Sequence, residues 1–112
     1  MKRIKIIEQL ASQAMERGHA VLRRGGREVY RIEVEQDILT MYHYGTPTIR
    51  YDMRARVLLH WYGESVSDRD SMNTLLNYLG EHRYIFRYGP VMGFQLQERG
   101  ATGYESRIIS QS

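Results

Sequence analysis

The sequence predicts an α+β fold, and three observations predict it. Two stretches repeat apolar residues at helical spacing, several shorter ones alternate at the strand period, and the order along the chain is helix, strands, helix, strands. An antiparallel β-sheet meander, with an N-terminal helix and a second amphipathic helix packed on one face, buries both helical stripes. At 112 residues the chain suits one domain with its own core.

The second helix is the most fully specified element. Over about 67–79, Met72, Leu75, Leu76 and Leu79 recur on one face, while Arg69, Asn73 and Asn77 fall on the other. Ser67 is the expected N-cap, Asp70 completes a capping box three residues later, and Asp68 and Asp70 face the positive end of the helix dipole. Gly80 supplies the stop. The first helix lies between Lys2 and Gly18, with Ile7, Leu10, Ala11, Ala14 and Met15 on its apolar side.

Strands fill the interval between the helices. His19 to Arg23 is a short apolar run, and Arg24-Gly25-Gly26-Arg27 is the composition of a tight hairpin turn. Tyr30, Ile32 and Val34 then alternate with Arg31, Glu33 and Glu35, and Gln36-Asp37 turns the chain. Ile38 to Tyr44 forms the next strand, Gly45-Thr46-Pro47 breaks it, and Thr48 to Met53 resumes with Ile49, Tyr51 and Met53 on one side. Arg54-Ala55-Arg56 is a turn, and the nearly continuous apolar run Val57 to Tyr62 reads as a central strand. After Gly80, Tyr84, Phe86 and Tyr88 alternate with Ile85 and Arg87, Gly89-Pro90 turns, and Val91 to Leu96 is a strand interrupted at Gly93. From about residue 99 the mixture of glycine and polar residues predicts a loosely ordered tail carrying at most one docked strand.

Composition narrows the function classes. There is no cysteine, which excludes disulfides and thiolate zinc sites and leans toward the cytosol. The opening Met1-Lys2-Arg3-Ile4-Lys5-Ile6-Ile7 runs at once into Glu8, Gln9, Ser12 and Gln13, so neither export nor a membrane span is expected. Net charge is +3, and 14 of the 16 basic residues are arginine, which grips planar anions and stacks on rings. A dedicated duplex binder would be more basic. Nine tyrosines against two phenylalanines and one tryptophan suit a sheet surface or a binding surface.

Catalytic and metal-binding residues are not expected. His19, His43, His60 and His82 lack metal-ligand spacing, and only His43 and His60 become neighbours if their strands pair. Glu64, Asp68 and Asp70 resemble a magnesium-holding carboxylate cluster of a nuclease, but capping already accounts for Asp68 and Asp70. Ser65, Ser67 and Ser71 have no neighbouring base to activate them. Binding residues are easier to nominate. Arg23, Arg24 and Arg27 surround the paired glycines in the manner of Arg-Gly-Gly segments that contact RNA. Arg50, Tyr51, Arg54, Arg56, Arg83, Tyr84, Arg87 and Tyr88 form an Arg/Tyr face if their strands are adjacent, suited to a phosphate backbone or an acidic protein surface.

Tyr42-His43-Tyr44-Gly45-Thr46, followed by Tyr62-Gly63-Glu64-Ser65-Val66-Ser67-Asp68-Arg69-Asp70-Ser71-Met72-Asn73, resembles a group of small proteins carried by phages and plasmids of Gram-positive bacteria. In that group a tyrosine-rich strand precedes a short strand and an amphipathic helix, and some small proteins of the same mobile elements are type II anti-CRISPR proteins. The likeness covers about residues 38–80. The helix start here, Glu-Ser-Val-Ser-Asp-Arg-Asp, departs from the group's Thr-Thr pattern, so no site residue is carried over. What the resemblance implies is a non-catalytic inhibitor in the bacterial cytoplasm that binds a CRISPR effector nuclease, or interferes with its guide RNA loading. A homodimer is also considered. The alternative is a small nucleic-acid-binding accessory protein, for DNA or RNA, with Arg23, Arg24, Arg27, Arg54 and Arg56 on phosphates.

Overall fold

Both helices form where the apolar stripes place them. The computed structural model describes residues 2–100 and 103–105. Helix α1 spans Arg3–Arg17 and buries Ile7, Leu10, Ala11 and Ala14, while Met15 stays exposed; α2 spans Val66–Tyr78 and buries Met72, Leu75 and Leu76. Five strands lie between them, β1 (His19–Arg24), β2 (Arg27–Glu35), β3 (Ile38–His43), β4 (Thr46–Asp52) and β5 (Val57–Trp61), paired antiparallel in sequence order. The α+β class is as the sequence predicts. After α2 come β6 (Tyr84–Gly89), β7 (Gly93–Gly100) and β8 (Gly103–Glu105), which make a separate antiparallel sheet rather than extending the first.

Hairpin chemistry sets the register of the first sheet. Gly25 and Gly26 have φ of 57° and 75°, the two positive values that a two-residue type I′ turn requires. Tyr44 and Gly45 repeat this at 50° and 80°, so the β3–β4 break is shorter than expected and Thr46 and Pro47 already belong to β4. With that register, Ile32, Met41, Ile49 and Trp61 line up across β2, β3, β4 and β5, all buried on the face that carries the helices. At the next turn, Asp52 accepts from the backbone N–H groups of Arg54 and Ala55.

Three expectations are corrected here. Val57 to Trp61 is an edge strand, not a central one: Val57 and Leu59 are 43% and 47% exposed, and Trp61 is covered by Phe86 and Phe94 of the second sheet. Asn73 is not on a wet face, because its side chain clamps the backbone of Phe86, accepting from its N–H at 2.8 Å and donating to its carbonyl at 3.0 Å. Val91 and Met92 lie in the β6–β7 turn, and the strand begins at Gly93. Of the loosely ordered tail expected from about 99, residues 99–100 continue β7 and 103–105 dock on it as β8; 101–102 and 106–112 lie outside the described residues.

The caps of α2 are also rearranged. Ser65, not Ser67, is the N-cap, and its hydroxyl accepts from the Asp68 N–H at 3.1 Å. Asp70 makes no capping bond and instead pairs with Arg3 and Arg69. At the other end Gly80 donates to the Asn77 carbonyl and Glu81 to that of Leu76, the paired bonds of a Schellman stop. Ser65→Ala is therefore expected to cost about 1 kcal/mol in urea denaturation, and Ser67→Ala less than about 0.5 kcal/mol. Equal losses would show that Ser65 is not the cap.

Candidate functional site

With both helices on one side, the opposite face of the five-stranded sheet is covered by no other element among the described residues. The pairing register decides what it carries. Glu33, Thr40, Arg50 and His60 form one row across β2–β5, and Arg31 faces Tyr42 in the row beside it. The twisted face is concave, enclosing a groove of about 620 Å³ lined only by residues of β2–β5 and their turns, among them Glu33, Ile38, Tyr42, Pro47, Arg50 and His60. The Arg31 guanidinium lies 4.0 Å from the centre of the Tyr42 ring and is oriented by Glu28 and Glu33 at 3.5 and 3.3 Å. Burial, followed by the Glu33 carboxylate, pushes the Tyr42 phenol above its ordinary value, so it remains a neutral hydrogen-bonding group at physiological pH. His60 bonds the Pro47 carbonyl through Nε2 at 3.1 Å. Arg50 is exposed and, among the described residues, pairs with no carboxylate. The groove thus combines the Tyr42 ring, on which Arg31 stacks, with exposed Arg50 and the apolar Ile38 and Pro47, the mixture that protein interfaces favour at their centres.

The expected Arg/Tyr face is not one surface. Arg50 is on the groove, but its neighbour Tyr51 points to the core, 1% exposed, and donates from its hydroxyl to Glu81 at 2.7 Å. Adjacent strand residues face opposite ways, so Tyr51 is a core residue and not a contact residue. Arg56 and Arg83 are drawn to the same buried carboxylate: Arg83 donates to it from Nε and Nη2 at 3.0 Å, and Arg56 donates to the Gly80 carbonyl at 2.9 Å. Both are thereby tied to the segment that follows α2. Tyr84 carries the Arg83 guanidinium over its ring, Tyr88 packs on Phe94, and exposed Arg87 bonds Gln97, all on the second sheet and apart from Arg50. Arg54 sits exposed in the β4–β5 turn. Arg23, Arg24 and Arg27 stay together at the β1–β2 turn.

The histidine and carboxylate constellations also resolve differently from the expectations. His43 and His60 lie on opposite faces of the sheet, and so form no pair. His43 turns inward like Leu39 and Met41, where its Nδ1 meets Asp68 at 2.7 Å. Burial alone would raise the Asp68 carboxyl, but hydrogen bonds from His43, the Glu64 N–H and Ser65 outweigh it and hold it below its ordinary value. The His43 ring is stacked between Tyr30 at 4.4 Å and Tyr44 at 4.7 Å, and Arg27 covers Tyr44 at 5.0 Å, giving a four-layer column from core to solvent. Glu64 accepts from Tyr62, Asp68 holds His43, and Asp70 holds arginines, so the three carboxylates do not converge on one point. Among the described residues no group of three histidines or carboxylates is arranged to hold a metal. The inward parity of His43 was visible in the Leu39-Met41-His43 alternation, and a buried histidine demands a partner. That the partner is Asp68, 25 residues away, has no local signal.

Among the described residues no helix is long and apolar enough to cross a membrane. No family model, curated protein or solved structure matches the chain.

Proposed function

We propose that this protein is a non-catalytic binding module that acts as an inhibitor of the anti-CRISPR type, engaging a type II effector nuclease or obstructing its guide RNA loading. The observation that supports binding is the sheet face left uncovered among the described residues, whose groove of about 620 Å³ presents Tyr42, with Arg31 stacked on it, and the exposed Arg50. The nuclease as partner rests on the resemblance of residues 38–80, which includes Tyr42 and the strand that carries Arg50. A protein partner fits this groove better than a phosphate backbone does, because Glu33 and Glu35 line it together with Arg50.

The test is size-exclusion chromatography of the protein with a type II effector nuclease, both free and guide-loaded, beside a control with guide RNA alone. Co-elution with the nuclease is expected, and it should be lost in Tyr42→Ala and Arg50→Glu, each of which removes a central contact of about 2 kcal/mol or more. Both positions are on the sheet surface, so the variants should keep the wild-type melting temperature within a few degrees. No co-elution with either nuclease form overturns the reading.

A further inference from the structure

The β1–β2 hairpin concentrates positive charge that the protein itself does not answer. Arg24 and Arg27 are direct cross-strand partners flanking the Gly25-Gly26 turn, and like charges placed opposite one another destabilise a ladder. Arg3, Arg31, Arg56, Arg69 and Arg83 each have a carboxylate within 4.0 Å. Among the described residues Arg23, Arg24 and Arg27 have none. The acids around them are already engaged: Glu28, opposite Arg23, by Arg31; Asp68 by His43; Asp70 by Arg3 and Arg69.

Arg24 borders a cleft. About 260 Å³ in volume, it is lined by Arg3, Arg24, Tyr30, His43, Tyr44 and Ser67, on the helix-bearing side of the sheet. His43 Nδ1 is committed to Asp68, and its Nε2 has no protein partner among the described residues. The stacked column fixes the ring in place, since Tyr30 lies parallel to it within 8°. The cleft therefore sets the forked guanidinium donors of Arg24 beside the fixed His43 ring, and among the described residues nothing acidic lines it.

We propose that this cleft is a phosphodiester-binding site for single-stranded nucleic acid, with one phosphate seated between Arg24 and His43 and the next along the strand on Arg27. The volume accommodates a phosphate with part of its sugar but no duplex. The open surface around Gly25 and Gly26, where an added Cβ would meet nothing within 4 Å, lets a strand continue past the turn. This site is independent of the sheet groove, because the two lie on opposite faces of the sheet.

Fluorescence anisotropy with a short labelled oligouridylate in low salt tests it. Binding is expected to weaken linearly with the logarithm of salt concentration, and Arg24→Gln with Arg27→Gln should weaken it about tenfold or more while lowering the salt slope by about one per arginine. Provided circular dichroism shows the fold intact, His43→Gln should weaken it and lower the salt slope as well, because with Nδ1–H given to Asp68 the ring donates to a phosphate through Nε2 only as the imidazolium. Arg50→Glu, on the opposite face, should have several-fold less effect than the hairpin pair. Absence of binding, equal loss in Arg50→Glu and in the hairpin variant, or competition by uridine monophosphate as effective per phosphate as by the strand would each overturn the proposal.

Discussion

Glu81→Ala is expected to cost about 3–5 kcal/mol, the range for removing one partner from a buried charged cluster, read as a fall in the urea midpoint. Glu81 is 2% exposed and follows the Schellman stop of α2, which fixes its backbone. Its carboxylate accepts from the Tyr51 hydroxyl at 2.7 Å, from Arg83 Nε and Nη2 at 3.0 Å, and from the Arg83 N–H at 3.1 Å. The two arginines that face it are about half exposed, so solvent screens their share. The larger loss comes from the core side, where the Tyr51 hydroxyl would be left buried without an acceptor beside a new cavity. Acid should reproduce the effect in the wild type. Burial works to raise the Glu81 carboxyl, but the bonds from Arg83 and Tyr51 prevail and bring it from 4.5 to about 2. A depressed acid stabilises the fold fully above its unfolded value and loses that contribution as pH falls toward the folded one. Stability should thus decline by about 2–3 kcal/mol between pH 5 and 2 on this account, with Asp68 adding a loss of the same sign. Glu81→Gln should flatten that decline, and an acid limb identical to wild type would exclude Glu81 as its source. At the alkaline end the sign reverses: burial and Glu81 push Tyr51 up to about 12, and the stability from its neutral phenol is lost as pH rises from 10 through that value.

What was legible in the sequence is what depends on neighbours a few residues away. The apolar stripes of Ile7-Leu10-Ala11-Ala14 and Met72-Leu75-Leu76 describe their helices because helical periodicity is local, and Gly25-Gly26 describes its turn because positive φ is a property of the residue. Edge and centre are not local. Val57-Leu58-Leu59 reads as an interior strand, yet β5 has β4 on one side only, and Trp61 is buried by rings that arrive after α2. The candidate site divides along the same line. That Arg50 and Tyr51 must face opposite ways follows from strand alternation, and Arg83 has a carboxylate two residues before it. Stacking of Arg31 on Tyr42 needs the β2–β3 register, and the His43–Asp68 contact needs α2 placed against β3; neither is encoded in a short stretch.

Gly63→Ala is expected to lower stability by about 2–3 kcal/mol, the upper part of the range for overpacking, and the melting temperature by about 10 °C or more. Gly63 is buried between β5 and α2, and a Cβ there would overlap the Phe94 ring. Phe94 has little room to yield. Trp61, Phe86 and Tyr88 surround it with ring centres at 6.0, 5.9 and 6.0 Å, and this cluster is where the second sheet meets the end of β5. The φ of Gly63 is not positive, unlike those of Gly18, Gly25, Gly26, Gly45, Gly80 and Gly93. The penalty is therefore one of space and not of backbone strain, and space can be restored. Phe94→Leu alone should destabilise by opening a cavity, but combined with Gly63→Ala it should recover part of the loss, leaving a coupling of about 1 kcal/mol or more in a double-mutant cycle. Strict additivity of the two losses would mean that alanine is rejected for some reason other than the Phe94 ring. If the coupling appears, the absent side chain at Gly63 is what allows the two sheets to close on a shared aromatic cluster, and any larger residue there should separate them further.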